Sequence, residues 1–173
     1  MTLQTRPARE EDVRAIAELH VRSWQFGHQR LVPKVVVDPV SVEEREARWE
    51  ERLKGGASSD DTILVADRDG EVVGSASAGP THDRSTEAGV AEIYELFVHT
   101  EAIGTGVGGG SVDWDAQQTQ RRRLPSSDAL GSRGNDRARR SYGRQGFRPD
   151  GSTKTARMSR TEAIEVRYRM SLP

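Results

Sequence analysis

The sequence of 173 residues is long enough for one domain with a hydrophobic core and too short for two of ordinary size, so we predict a single domain over residues 1–173. Hydrophobic residues make up 34% of the chain and charged residues 31%, which predicts a lean core. The formal net charge of −1 argues against a protein dedicated to nucleic acid or membrane surfaces, which needs a basic excess, and the lack of cysteine excludes disulfides and thiolate metal sites.

The chain begins with a short strand and two amphipathic helices. Residues 3–6 alternate in polarity and stop at a proline, which is typical of an edge strand. Apolar residues then recur every three or four positions over residues 10–27, which predicts a helix. Ser41, with Glu44 three residues later, has the pattern of a capping box, and we expect it to open a charged helix that runs to residue 54.

Three strands follow in the middle of the chain. Residues 62–67 and 71–78 are rich in β-forming residues, and the turn Arg-Asp-Gly at 68–70 supplies the positive φ that a tight hairpin needs. Residues 91–98, Ala-Glu-Ile-Tyr-Glu-Leu-Phe-Val, are the strongest strand signal in the chain. We therefore expect the chemistry to gather at the end of this strand.

The remainder of the chain reads as helix and strand with one glycine-rich segment. Residues 104–110 are glycine-rich, and the segment to residue 120 is a possible helix with a poor apolar face. Residues 135–145 predict a better helix, which Gly146 ends. A last strand is predicted over residues 165–170.

The glycine-rich turn has the features of an anion site. Residues 98–108, Val-His-Thr-Glu-Ala-Ile-Gly-Thr-Gly-Val-Gly, lead from a strand through glycines toward a helix. Such a turn can aim several backbone N–H groups and a helix dipole at one anion, and glycine leaves room for its approach. A pyrophosphate would fit there. The alternative is a flexible glycine turn without a ligand.

Three motifs in order make the pattern specific. They are Ile-Gly-Thr-Gly-Val-Gly at 103–108, Asn-Asp-Arg-Ala-Arg-Arg-Ser-Tyr at 135–142 and Gly-Phe-Arg-Pro at 146–149. Together they resemble the GNAT superfamily of acetyl-CoA-dependent N-acetyltransferases. The opening residues 6–8, Arg-Pro-Ala, and Asp12 are also similar to the family's first strand and helix, so the resemblance covers most of the chain.

The resemblance implies an α/β fold with a mixed, mostly antiparallel sheet flanked by helices and splayed at its centre for acetyl-CoA. Strand backbone near Leu96 would pair with the pantetheine arm, and the N–H groups of residues 104–108 would hold the pyrophosphate. Two arginines, Arg137 and Arg140, would contact the phosphates of CoA. The implied cofactor-binding residues are Leu96, Phe97, Val98, Ile103, Gly104, Thr105, Gly106, Val107, Gly108, Asn135, Arg137 and Arg140.

The resemblance also implies two catalytic residues. Tyr142 is at the position where the family commonly has the general acid that protonates the CoA thiolate, and an ordinary half-buried tyrosine is the alternative. Glu92 is at the position of a carboxylate that deprotonates the amine, often through water. Glu95 competes for this role, and regular strand alternation puts the two glutamates on opposite faces. Asn135 could instead serve only as a helix cap.

The sequence departs from the family in two places. Ile103 stands where the family usually has Arg or Gln, which removes one donor and spares the backbone cradle. Residues 109–134 replace an amphipathic helix and a hydrophobic strand, commonly Leu-Trp-Val-Leu-Glu-Gly-Asn-like. Residues 124–135 are rich in Pro, Gly, Ser and Asp, which predicts a loop where the fold needs a strand beside the CoA.

Back-translation offers a cause for the second departure. Residues 130–134 can be encoded by CTG GGT TCT CGA GGG, and reading one base later gives TGG GTT CTC GAG, or Trp-Val-Leu-Glu, followed by glycine. Suitable codons for residues 123–129 similarly read as Ala-Ser-Arg-Gln-Ala-Thr-Arg, close to what normally precedes that strand. We hypothesise a pair of compensating frameshifts that bound about residues 109 and 134, which the nucleotide sequence can test.

We predict no metal site and no nucleic-acid partner. The four histidines, at 20, 28, 82 and 99, do not cluster and are interpreted as surface or loop residues. Arginines are dense over residues 121–148, but no stacking aromatics are interleaved, so a solvated face or contact with CoA phosphates is favoured over an RNA-binding adaptor. No segment has the pattern of a signal peptide or a membrane span, and we expect a cytoplasmic protein.

The resemblance implies transfer of an acetyl group from acetyl-CoA to a primary amine. The acceptor, a small molecule or a protein amino group, is left open because GNAT acceptor sites are built from variable loops. Many relatives dimerise, so a homodimer is compatible with the resemblance. The alternative function is that of a non-catalytic or folding-compromised CoA-binding relative, because residues 109–134 depart from the family.

Overall fold

The computed structural model describes residues 2–28, 41–56, 61–82, 89–110, 126–158 and 161–171. Its seven-stranded sheet has the order β1-β2-β3-β4-β5-β7-β6, and every neighbouring pair except β4 and β5 is antiparallel. The strands are β1 (Leu3–Pro7), β2 (Thr62–Arg68), β3 (Glu71–Pro80), β4 (Ala91–Val98), β5 (Ser126–Ser132), β6 (Arg148–Met158) and β7 (Thr161–Ser171). The helices are α1 (Val13–His28), α2 (Val42–Glu51) and α3 (Asp136–Arg144). The predicted mixed, mostly antiparallel α/β architecture is confirmed.

The first half of the sheet forms where local signals are strong. β1 is the edge strand, as its proline predicts, and it pairs with β2. The hairpin of β2 and β3 turns at Asp69 and Gly70, which have φ values of 52° and 91°. Only glycine adopts the second value without strain, which accounts for its position in the turn.

Helices α1 and α2 pack together against the first strands. Val13, Ile16 and Trp49 form a buried cluster with side chains of β2, including Ile63 and Val65. The predicted cap of α2 is present, because the Ser41 side chain accepts a hydrogen bond from the backbone N–H of Glu44 at 3.3 Å. Burial of this apolar stripe, more than intrinsic propensity, holds the helices on the sheet.

The sheet opens between β4 and β5. These parallel strands pair only where Ala91–Ile93 lies beside Ser127–Ala129, and beyond this point β5 continues with β7 alone among the described residues. A register shift opposite Ser77 and Ala78 leaves Tyr94 as an extra residue in β4. The bulge and the short pairing create the central splay that the resemblance implies.

The prediction of a loop before Asn135 is wrong, because residues 126–132 form β5. Pairing with β4 on one side and β7 on the other supplies the backbone hydrogen bonds. Asp128 is 2% exposed and receives two hydrogen bonds from Arg169, its cross-strand partner, at 2.7 and 2.8 Å. Tertiary pairing therefore overrides poor β propensity. The frameshift hypothesis concerns the gene and stays a prediction.

The last strand is longer than predicted, and it pairs with a strand that was not predicted. β7 covers Thr161–Ser171, where the prediction had residues 165–170, and β6 was not predicted. β6 is an edge strand of mostly exposed polar residues, so it lacks the apolar alternation that identifies strands. The predicted helix over 111–120 lies outside the described residues. No helix in the described part of the chain is long and apolar enough to cross a membrane.

Candidate active site

A cavity of about 550 Å³ lies at the splay between β4 and β5. Its lining residues come from α1, α2, the end of β4, β5, α3 and β7. Such a volume suits a small-molecule ligand. Among the residues predicted from sequence, the lining includes Glu95, Leu96, Phe97, Asn135 and Tyr142.

The glycine turn lies next to this cleft. Gly104 and Gly106 have φ values of 84° and 94°, and residues 107–110 are helical, so the turn leads directly into a helix N-terminus. Side chains of Leu96 and Val98 lie 4.0 and 3.7 Å from where a Cβ on Gly108 would be. The turn and the end of β4 are therefore adjacent, as a ligand with a pyrophosphate and an extended arm requires. The described residues fit CoA in this respect.

Close packing holds the turn in place. Val107 is 1% exposed and lies against Gly74 of β3, where an added Cβ would come within 2.5 Å of Val107 Cγ1. The carbonyl of Val98 accepts a hydrogen bond from Ser23 Oγ at 3.0 Å, which joins α1 to the end of β4. Ile103 is partly buried and the side chain of Thr105 bonds the Ala102 carbonyl at 2.7 Å.

The N-terminus of α3 lies beside the end of α1. Asn135 caps α3, because its side chain accepts a hydrogen bond from the Ala138 backbone N–H at 3.1 Å, and its contact with the cofactor stays a prediction. Arg137 lies over the Phe26 ring at 4.9 Å, a cation–π contact, and Arg140 is exposed. Their contact with CoA phosphates stays a prediction.

Tyr142 is buried at the inner wall of the cavity. Its ring packs near those of Phe147 and Tyr168, whose centroids lie 5.9 and 5.6 Å from the Tyr142 ring centroid. The hydroxyl has a long contact of 3.5 Å with the Leu130 carbonyl. Burial raises the pKa of Tyr142 to about 12, with help from the charge of Glu165, so the phenol keeps its proton in the neutral range.

The two candidate bases differ in environment. Glu95 lines the cavity, and its carboxylate accepts hydrogen bonds from Arg52 and from Ser77 Oγ. Glu92 is 7% exposed, and its carboxylate accepts from Thr81 Oγ at 3.0 Å and from the His82 backbone N–H at 3.1 Å. The geometry favours Glu95 for chemistry in the cavity.

His20 corrects one prediction, since it is neither a surface nor a loop residue. It lies on α1, is 7% exposed, lines the cavity and stacks on Phe97 with centroids 4.2 Å apart. Its Nδ1 accepts a hydrogen bond from Trp49 Nε1 at 3.3 Å, so the proton of the neutral ring is on Nε2. Burial lowers the pKa of His20 to about 4.

The neutral His20 ring should make stability depend on pH. The ring takes up a proton below about pH 6.5 in the unfolded chain but only below about pH 4 in the folded chain. Protonation of the unfolded chain therefore lowers the free energy of unfolding as the pH falls from about 6.5 to about 4, and has no effect above pH 6.5. We expect the free energy of unfolding to fall from pH 7.5 to 4.5 by about 2 to 3 kcal/mol more in the parent than in His20→Asn. Urea denaturation at several pH values measures this difference.

The pH dependence of the free energy of unfolding distinguishes protonation of His20 from the loss of its packing. His20→Asn also loses the stacking on Phe97, which lowers stability at every pH and leaves the slope difference intact. His82→Asn is the matched control, since His82 is exposed. Parallel pH profiles for the parent and His20→Asn would contradict a buried neutral histidine.

Three charged lining residues escaped the sequence predictions. Arg45 and Arg48 of α2 and Glu165 of β7 lie on the cavity wall. Burial raises the pKa of Glu165, and Glu92 adds to this. The pattern of α2 shows which face is apolar, but nothing local indicates that its arginines face a site built from other elements. Within the described ranges, no group of three or more His, Cys, Asp or Glu could hold a metal ion.

Comparison with known proteins identifies the family. The sequence model of the Acetyltransferase (GNAT) family matches residues 13–147. The chain is 32% identical over 105 residues to the uncharacterized N-acetyltransferase YuaI of Bacillus subtilis (strain 168). That match covers 60% of this chain and 56% of the relative, so the matched region spans little more than half of the relative's length.

Solved structures share the fold along the whole chain. PaiA N-acetyltransferase of Thermoplasma acidophilum, in complex with coenzyme A, is similar with a TM-score of 0.76 and 15% identity, and the match covers 99% of both chains. YncA of Salmonella typhimurium, with acetyl-CoA, is similar with a TM-score of 0.73 and 19% identity, over 100% of this chain and 95% of that one. With the splayed sheet and the glycine turn, the match over residues 13–147 shows that the chain belongs to the GNAT acetyltransferase family.

Proposed function

We propose that this protein transfers the acetyl group of acetyl-CoA to a primary amine. The observation that supports it most is the cavity at the β4 and β5 splay, which Tyr142 and Glu95 both line and which lies next to the glycine turn. An acid and a base around one cleft are what acyl transfer to an amine requires.

Acetyl-CoA would lie in the splay, where it supplies an activated acetyl thioester. The unpaired side of β4 beyond Ile93 would receive the pantetheine arm, and the backbone N–H groups of residues 104–108 would hold the pyrophosphate. Leu96 and Phe97 line the cavity at this place. These residues position the ligand and exclude water from the reacting carbonyl.

The proposed chemistry needs three proton transfers. Glu95 accepts a proton from the acceptor ammonium, directly or through one water, and leaves a neutral amine. The nitrogen then attacks the thioester carbonyl carbon, the C–N bond forms and the C–S bond breaks. Tyr142 donates its proton to the departing sulfur, and the amine's second proton is released to solvent as the amide forms. Glu95 then loses its proton to solvent and the Tyr142 phenolate takes one up, which restores the starting state.

An acetyl-CoA consumption screen over diverse amines tests the proposal. The panel should include small amines, amino acids and peptides, with the N-acetylated product identified by mass spectrometry. We expect at least one amine to be acetylated. Two outcomes would reject the proposal. One is consumption of acetyl-CoA without an N-acetylated product, and the other is binding of acetyl-CoA with no consumption in the presence of any amine.

Glu95→Gln should lower kcat/KM at neutral pH by about 10²-fold, because a general base contributes about 10²- to 10⁴-fold. The loss should shrink at high pH, where the amine loses its proton without help. Glu92→Gln should mainly reduce stability, since the Glu92 carboxylate holds the Thr81 hydroxyl and the His82 N–H. Steady-state kinetics over pH 7 to 10 and urea denaturation measure the two effects.

Arg52→Gln is the control for the ion pair. It breaks the contact of Arg52 with Glu95 and leaves the carboxylate in the cavity. A loss in Arg52→Gln equal to that in Glu95→Gln would mean that the pair is structural. A lower kcat/KM in Glu92→Gln, with the value of the parent in Glu95→Gln, would assign the base to Glu92, as the resemblance implies.

A non-catalytic CoA-binding relative is the second candidate. It is favoured by the polar composition of β5, where Ser126, Ser127, Asp128 and Ser132 are all buried and Ser132 lines the cleft. Calorimetry with acetyl-CoA distinguishes the two, because binding without turnover on the amine panel would favour this candidate. A single domain over residues 1–173, a cytoplasmic location and a homodimer stay predictions.

A further inference from the structure

We propose that Arg45 and Arg48 form a carboxylate subsite, so that the acceptor is a small amine that also carries a carboxylate, such as an α-amino acid. The inference rests on the proposed function, since it assigns the second ligand of the same cavity. Both arginines lie on α2 and line the cavity, which Tyr142 of α3 and Glu165 of β7 also line.

Arg45 is the observation that leads to an anion. Its side chain is partly buried, and its Nε is buried with no hydrogen-bond partner among the described residues. Burial lowers the pKa of the Arg45 guanidinium, and the neighbouring charge of Arg48 lowers it further. Nε itself is closed to solvent, so a ligand oxyanion would bind the other guanidinium nitrogens, where it would offset part of the cost of burying this charge.

The protein's own carboxylates at the cavity are placed elsewhere. Glu95 attracts Arg45 at longer range, but its hydrogen bonds go to Arg52 and Ser77. Glu165 is on β7, and the charges that act on it are those of Lys154 and Glu92 and not those of Arg45 or Arg48. The α2 wall therefore has two guanidinium groups that its described neighbours do not neutralise by direct contact.

The arrangement suits a dipolar acceptor. A carboxylate on Arg45 and Arg48 gains charge-assisted hydrogen bonds, which guanidinium groups form in bidentate geometry. The amine end of the same molecule would then point toward Glu95 and the Tyr142 side of the cleft. A cavity of about 550 Å³ limits the acceptor to a small molecule in the site itself.

A binding experiment tests the subsite without turnover. The probes are N-acetylglycine and N-acetylglycinamide, which differ in the carboxylate, and their affinities are measured by NMR titration of the full chain. We expect the carboxamide to bind about 10-fold or more weakly to the parent, because a charge-assisted contact is lost. Arg45→Gln should remove this preference, and Arg22→Gln, at an exposed position of α1 outside the cavity, should keep it.

A kinetic experiment separates the subsite from the function. L-amino acids and their carboxamides are compared as acceptors, and we expect kcat/KM to favour the acids and Arg45→Gln to abolish the preference. Probe binding through Arg45 without acetylation of any amine would uphold the subsite and reject the proposed function. Acetylation of acids and carboxamides at equal rates, or a loss of acetyl-CoA affinity in Arg45→Gln, would overturn the subsite and leave the function standing.

Discussion

Tyr142→Phe should lower the rate of acetyl transfer by about 10²- to 10⁴-fold and leave acetyl-CoA affinity close to that of the parent. The substitution removes the proton donor for the departing thiolate and keeps the ring that packs between Phe147 and Tyr168. The hydroxyl contact with the Leu130 carbonyl is long, at 3.5 Å, so its loss should change stability little. Single-turnover kinetics and calorimetry measure the two quantities.

The pH profile adds a second check on Tyr142. Because burial raises its pKa to about 12, the phenol should stay protonated, and the parent should show no loss of rate from this group below about pH 11. An acid of ordinary pKa would titrate about two units lower.

Tyr168→Phe is the matched control, because the Tyr168 hydroxyl accepts a hydrogen bond from Arg139 Nε at 2.8 Å. We expect it to reduce stability by about 1 kcal/mol with a much smaller effect on rate. Loss of acetyl-CoA binding together with turnover in Tyr142→Phe would point to a structural hydroxyl. Unchanged turnover with chemistry rate-limiting would reject the assignment.

Asp128→Ala is expected to have the largest effect on stability. Asp128 is 2% exposed in β5 and bonds Arg169 of β7 through both carboxylate oxygens. Removing one partner of a buried pair costs about 3 to 5 kcal/mol, and since the Arg169 side chain is 28% exposed we expect a loss of at least about 2 kcal/mol. Urea denaturation measures the free energy of unfolding.

Two further variants show whether the stability lost in Asp128→Ala comes from the buried ion pair. Asp150→Ala breaks the contact of Asp150 with Arg167 and should cost less, because the Asp150 side chain is 22% exposed and Arg167 keeps Asp128 within 3.8 Å. Replacing Asp128 and Arg169 together by leucine should recover most of the stability, because a buried ion pair is often no better than packed apolar side chains. An Asp128→Ala protein as stable as the parent would contradict the role of this pair in holding β5.

Local signals in the sequence predicted the first half of the fold. The hairpin turn at residues 68–70, the cap at Ser41 and the apolar run of 91–98 depend on near neighbours, and the structure confirms each. The helix over 135–145 and its Asn135 cap follow for the same reason. β5 was missed because a seven-residue segment with three serines, an aspartate and a glycine becomes a strand only when two other strands pair with it.

Some residues of the candidate site were predicted from the sequence, and others were found only in the structure. The sequence, through its motifs, named Tyr142, Asn135 and the end of β4, and these line the cavity. The environments of Glu92 and Glu95 depend on the bulge at Tyr94, which breaks the alternation assumed for a regular strand. The places of His20, Arg45 and Glu165 depend on how separate elements meet.

By itself, the sequence determined the family, the α/β class and the order of most elements, because capping, turn chemistry, periodicity and the glycine motif are set by residues close along the chain. Only the tertiary structure decided that a polar segment is the strand β5, that β4 and β5 diverge after Ile93, and that Glu95 lies in the cavity with the buried His20 and the Arg45 guanidinium. The physical reason is that burial, cross-strand pairing and charge neutralisation depend on residues that are distant in sequence and meet only in the folded chain.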